Sequence, residues 1–209
     1  MQQYGALMNF DASVSSSYTT EGSKVSVWKD TIGTSQFIQT TDSSRPVLTT
    51  QNGKTAFAFD FKLLSSSPVN ITYRSVIYVY KNISTQSYSQ VLHSTYGEYI
   101  SHGGANNTLI HGNSNAGGPA NTWVNHTQVG TPTTPLDSIP RSYVNNMAVQ
   151  IQVYTIQKTS NITTIGRNMD YSTGWINGVI CEIVIFPTAL TDTERTTIVD
   201  HLIAKWGVV

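Results

Sequence analysis

Apolar positions recur along this chain with a period of two, broken at short intervals by turn residues. In Thr55 to Phe61 the side chains of Phe57, Phe59 and Phe61 fall on one face, and in Arg74 to Tyr80 the residues Val76, Tyr78 and Tyr80 oppose Ile77 and Val79. Both patterns predict interior strands of a two-layer structure. Met147 to Thr155 places Val149, Ile151 and Val153 inward and Gln150, Gln152 and Tyr154 outward, which predicts a strand with one wet face. Val179 to Phe186 is the most continuous apolar run, and its β-branched content predicts a buried strand that Pro187 ends. The period changes once, near the last residues. Thr191-Asp192-Thr193-Glu194 fits a capping box, Ile198, Val199, Leu202, Ile203 and Trp206 make one apolar stripe, and Gly207 supplies a stop. A helix over 191–206 is therefore expected to pack on the strands as a latch. One helix after many strands, with no strand-helix-strand alternation, reads as an all-β domain spanning 1–209.

Between about 93 and 146 the chain turns rich in Gly, Asn, His and Pro, as in Gly103-Gly104, Gly117-Gly118-Pro119 and Thr131-Pro132. This insertion reads as short strands joined by long loops, which is where binding residues usually sit on a rigid scaffold.

Composition narrows the partners. Of 209 residues, 12 are basic and 12 acidic, so 11% of the chain is charged, where about 25% is usual. The surface is made polar instead by 23 Ser, 28 Thr and 15 Asn. Nucleic acid is excluded as a partner, because no Lys/Arg run exists to track phosphates. Eleven Tyr, 6 Phe and 4 Trp, set in alternating runs, exclude a disordered chain. Cys181 is alone, which excludes an intrachain disulfide and any paired-cysteine metal motif. No signal peptide is read at Met1-Gln2-Gln3-Tyr4-Gly5, and no apolar run approaches the ~20 residues of a membrane helix, so no membrane insertion is expected. The triplets at Asn70, Asn82, Asn106, Asn125 and Asn161 match the glycosylation pattern about as often as this composition produces by chance.

Several segments carry a resemblance. Trp175-Ile176-Asn177-Gly178 leads into Cys181-Glu182-Ile183, followed by Leu190-Thr191-Asp192-Thr193-Glu194-Arg195 and Lys205-Trp206-Gly207. Near the start stand Phe10-Asp11-Ala12-Ser13, Trp28 with Asp30, Ser44-Arg45-Pro46, Asn52-Gly53-Lys54 and Phe59-Asp60. Their order resembles the opening and closing signatures of concanavalin A-like, laminin-G-like lectin/glucanase domains of phage, virion and bacterial surface proteins. The resemblance implies a two-sheet antiparallel jelly-roll sandwich with one C-terminal helix packed on it. Two departures stand out: Phe61 replaces the family's Gly after Phe59-Asp60, which weakens any cation site near Asp60, and the glucanase branch's clustered carboxylates are missing.

Catalysis is not expected. Retaining glycoside hydrolysis needs two carboxyl groups about 5–5.5 Å apart, yet Glu21, Glu98, Glu182 and Glu194 stand isolated in sequence. Glu182 reads as a buried acceptor tied to backbone or hydroxyl donors. Carboxylates from different strands could still pair, and a pair within about 6 Å in a cleft would revive hydrolysis. Gly112 to Ala116 approaches a nucleophile elbow without its strand-turn-helix context. His93, His102, His111 and His126 are spaced too widely to share one strand face, so no zinc site is expected, while Asp137, Asp170 and the Asn cluster could supply oxygens to a calcium ion although no calcium motif joins them. The remaining chemistry is that of sugar recognition, with aromatic rings beside amides, hydroxyls and imidazoles. The candidates are Tyr99, His102, Asn106, His111, Asn113, Trp123 and His126, with Tyr171 in a second loop. The expectation is a non-catalytic, glycan-binding recognition or adhesion module without a cofactor, at a virion surface or outside cells. Its partners would be a glycan or host-surface receptor and other virion subunits, in a homo-oligomer. The rival expectation is a structural virion protein, a decoration or fibre subunit whose sandwich faces other subunits.

Overall fold

The structure, a computed structural model, describes residues 1–83, 89–95, 108–109, 120–131, 139–167, 169 and 174–209. Among these the strands are β1 (Met8–Asp11), β2 (Tyr18–Glu21), β3 (Lys24–Lys29), β4 (Gln36–Ile38), β5 (Val47–Gln51), β6 (Lys54–Asp60), β7 (Leu64–Asn82), β8 (Leu92–Thr95), β9 (Thr108–Leu109), β10 (Ala120–Val124), β11 (Thr127–Gly130), β12 (Ile139–Pro140), β13 (Ala148–Ile165) and β14 (Asn177–Phe186), followed by helix α1 (Asp192–Trp206). All pairings among them are antiparallel.

The main sheet runs β1-β14-β6-β5-β3-β4-β7-β13-β10-β11, with β2 on β3 and β8 on β13. Because β14 also pairs with β7, strands β14, β6, β5, β3, β4 and β7 close into a ring. Two seams of that ring are thin, with one paired position each, Lys24 with Val47 and Ile38 with Ser65. Inside it, Phe10, Trp28, Phe37 and Phe57 pack edge to face, with centroids 4.8 Å apart for Trp28–Phe57 and 5.2 Å for Phe10–Phe37.

Strand β14 is the hinge of the topology. One of its edges is shared by β6, up to Ile180–Phe57, and β1, from Glu182–Asp11, while the other edge lies along β7. The ladder to β7 steps from Ile180–Tyr80 to Glu182–Val79, so Cys181 is the extra residue of a β-bulge at the hand-over. Every residue from Ile180 to Phe186 is buried, as the apolar run predicted.

Helix α1 forms where the 3.6-residue pattern placed it. The Thr191 hydroxyl accepts the Glu194 N–H, and the Glu194 carboxylate accepts the Thr191 N–H. Ile198, Val199, Leu202 and Trp206 are buried, and Gly207 ends the helix at φ 63°. The tight turn of Asn52 and Gly53, both at positive φ, sits against that end. Asn52 Nδ2 donates to Lys205 O at 3.2 Å, and Gln51 Nε2 donates to Trp206 O at 2.9 Å.

Three expectations change. Phe61 does not continue the face of Phe57 and Phe59: it lies beyond β6 at φ 54° and is 45% exposed. The outward face expected for Gln150, Gln152 and Tyr154 is buried, because β13 has its apolar side toward α1 and its polar side toward the interior. Strand β7 also begins well before Arg74, through a Ser-rich start at Leu64 to Ser67 and then an alternation of Val69, Ile71 and Tyr73 with Asn70 and Thr72. β7 and β13 stay paired along most of their length across a bulge, where the register moves from Val153–Ser75 to Lys158–Tyr73. Arg74 Nη2 holds that bulge by donating to Tyr154 O at 3.1 Å and Thr155 O at 2.7 Å.

Candidate functional site

Of the binding residues expected from sequence, Tyr99, His102, Asn106, His111, Asn113 and Tyr171 lie outside the described residues, as do Asp137 and Asp170. Trp123 and His126 are described, and both turn toward α1. Arg195 stacks its guanidinium 4.4 Å from the Trp123 ring centre, and His126 Nε2 lies 3.1 Å from Asp200 Oδ1. Trp123 is buried, so of the two only His126 has an exposed side chain. Their register on β10 and in the turn after it makes them ties between the sheet and the helix.

One close pair of buried carboxylates on the described residues comes from neighbouring strands. Asp11 and Glu182 stand opposite each other in the β1–β14 ladder. Lys205 Nζ lies 2.5 Å from Asp11 Oδ2 and 2.7 Å from Glu182 Oε2, so the two carboxylate oxygens are within about 5.2 Å of each other. The separation suits a hydrolase, but the setting does not. The ammonium stands between the two groups, Trp206 Nε1 donates to Glu182 Oε2 at 2.9 Å, and Ser13 donates both N–H and O–H to Asp11 Oδ1. Both carboxylates are buried beneath α1. Burial pushes the Glu182 carboxyl up, the Asp11 charge adds to this, and Lys205 and Trp206 oppose it. Glu182 is thus the buried acceptor expected, with an ammonium and an indole as donors in place of backbone or hydroxyl groups.

A second polar group lies on the interior face of β7, β13 and β10, and sequence reasoning missed it by assigning that face to solvent. Tyr78 is paired with Gln150 and Thr122 with Gln152 in the ladders, so the four side chains share one face. Tyr80 Oη donates to Gln150 Oε1 at 2.5 Å and Tyr154 Oη donates to Gln152 Oε1 at 3.0 Å. Each tyrosine fixes one end of a glutamine amide. The other ends, Gln150 Nε2 and Gln152 Nε2, are buried without a hydrogen-bond partner among the described residues, as are Tyr78 Oη and Thr122 Oγ1. Burial holds the Tyr78 hydroxyl well above the usual phenol range, with Tyr154, Tyr73 and Tyr80 nearby adding to the effect, so it stays protonated. The signal in the sequence was the composition of that face, Gln-x-Gln-x-Tyr opposite Tyr-x-Tyr, which is rich in groups able to satisfy one another when buried.

No cluster of three or more His, Cys, Asp or Glu able to hold a metal occurs among the described residues. The chain matches no protein-family model, no curated protein and no solved structure.

Proposed function

We propose that the chain is a non-catalytic recognition module of the concanavalin A-like kind, a jelly-roll sandwich directed at a neutral, glycan-type partner on a virion or cell surface. The observation that carries this reading is the disposition of the carboxylates. The close pair Asp11 and Glu182 is bridged by the single Lys205 ammonium, covered by α1 and spent on joining the helix to the sheet. An acid/base pair for hydrolysis has to reach substrate and water, and these two groups reach neither. The charge-poor surface fits a neutral partner, as does the outer side of the β7–β13 arm, where Thr72 and Thr159 hydroxyls meet at 3.0 Å and Asn70 Nδ2 donates to Asn161 Oδ1 at 2.9 Å. Glycan-array binding by the whole chain tests the proposal: specific binding without turnover is expected, and either no binding or release of reducing sugar overturns it.

The assembly reading has one observation of its own. Ile38 is exposed beside Pro68 and Val69 at the β4–β7 seam, where few ladder bonds close the ring. Light scattering at micromolar concentration tests it, with a stable oligomer expected and a monomer counting against it.

A further inference from the structure

We propose that the open edge of β7 pairs with the same edge of a second copy of this chain, antiparallel about a two-fold axis at Asn70, so that one sheet runs through a dimer. The inference rests on the assembly reading above and names its surface.

The topology leaves this edge open. One side of β7 is covered by β13 along most of its length, while the other is taken by β4 at Ser65 alone and by β14 from Ser75 onward. Among the described residues, no strand pairs with that second side from Ser66 to Arg74. The edge can also be reached. Beyond the Ile38–Ser65 pair, β4 and β7 splay apart around a groove of about 290 Å3 lined by Gln36, Ile38 and Ser66 to Val69. Ser67, Pro68 and Asn70 are exposed along it. A row of N–H and C=O groups left open in this way is a template for another strand.

Charge and symmetry select a copy of the chain as that strand. No residue from Leu63 to Tyr73 is charged, and the nearest charges are Lys62 and Arg74. Charged side chains are the usual guard against pairing of like edges, and Pro68 is the one guarding residue in this stretch. Asn70 is the midpoint of the open residues, so pairing centred there uses all of them. It sets Arg74 of each copy opposite Ser66 of the other, which keeps the two arginines about 27 Å apart along the strands. It also matches positions of equal parity. Asn70 meets Asn70 and Thr72 meets Pro68 on the outer side, while Val69 meets Ile71 on the inner side, so each face continues across the axis. Lacking an N–H, Pro68 removes at most one bond from the ladder on each side of the axis. The second strand would lie over Ile38, which is 38% exposed in the single chain. A foreign peptide would gain the same backbone bonds without this match of length, parity and charge.

Charges placed at the axis test the pairing. Sedimentation equilibrium of the full chain at micromolar concentration should show a dimer. Asn70→Lys and Asn70→Asp each bring two like charges face to face and should weaken that dimer about tenfold or more. An equal mixture of the two variants should restore it, because opposite charges then meet. Both variants should melt with the wild type, since Asn70 is exposed, and a restored dimer shows independently that both are folded. If the wild type associates but the variants associate equally well, or the mixture recovers nothing, the edge is wrong and the assembly reading survives on another surface. If the wild type is a monomer, both fail.

Discussion

Asp11 and Lys205 stand 194 positions apart in the sequence, yet their side chains meet at 2.5 Å beneath the C-terminal helix. Glu182 joins them from the strand between, and Trp206 completes the group. The segments that carried the family resemblance therefore converge in space: Phe10-Asp11 on β1, Cys181-Glu182 on β14 and Lys205-Trp206 at the end of α1. The turn at Asn52-Gly53 adds a fourth by capping that helix.

Removing the cation from this group leaves two carboxylates buried against each other. Lys205→Met is expected to cost about 3–5 kcal/mol, the usual penalty for orphaning one side of a buried ion pair. Urea unfolding reads it as a shift in midpoint without a change in slope. A loss below about 1 kcal/mol would mean that the pair behaves as a surface bridge.

Two glutamates give opposite pH dependences. Glu182, raised by burial, contributes stability that is full below the ordinary glutamate pKa of 4.5 and is lost as pH rises through its higher folded value. Glu194, lowered first by the Thr191 backbone N–H and then by its hydroxyl, contributes stability present above 4.5 and lost as pH falls through its lower folded value. From neutrality down to about pH 4.5 the wild type should gain on Glu182→Gln, and below that it should lose ground to Glu194→Gln. Urea midpoints of the three proteins across that range check both signs, and parallel curves would contradict them.

The capping box predicts a smaller, local loss. Thr191→Ala removes the acceptor for the Glu194 N–H and should cost about 1 kcal/mol, with earlier hydrogen exchange in the first turn of α1 and little change in the β7–β13 ladder.

Gly178 admits no side chain. A Cβ there would lie 1.9 Å from Lys81 O, because β14 and β7 are in contact backbone to backbone at that point. Gly178→Ala is expected to yield little soluble protein, or a melting temperature lowered by several degrees, whereas Gly22→Ala, which meets no atom but sits at φ 61°, should cost only the left-handed strain of about 1 kcal/mol.

Cys181 provides a probe for all of these. Its thiol is buried, and burial pushes its pKa far above the usual thiol range. Ellman's reagent should react with it only on unfolding, so the labelling rate should follow the stability order of the variants above. Fast labelling of the native chain would contradict the buried bulge.

Legibility in the sequence followed the nature of each signal. Helix α1 could be read to its caps because Thr191, Glu194 and Gly207 act on their own neighbours within a few residues. The strand at Val179 to Phe186 could be read because seven of its eight side chains are apolar and mostly β-branched, which leaves no other place for it. The bulge at Cys181 and the outward turn of Phe61 could not, since each is imposed by partners far away in the chain. Gln150, Gln152 and Tyr154 were misplaced for a related reason. Alternation separates two faces of a strand, but a polar face satisfied from within looks the same as a polar face satisfied by water. Trp123 and His126 were legible as an aromatic and an imidazole in a loop-rich stretch, but not as contacts of Arg195 and Asp200, which lie in a helix many residues later.

The central position of β14 bears on how the chain is made. Strands β1, β6 and β7 all take their common partner from residues 177–186, so while the ribosome is still adding the loop-rich middle, three finished strands have open edges and an uncovered aromatic cluster. Closure of the ring must wait until residue 186 has cleared the exit tunnel. During that interval those edges are open to pairing with neighbouring chains, and the sparse charges of this sequence offer little repulsion against it.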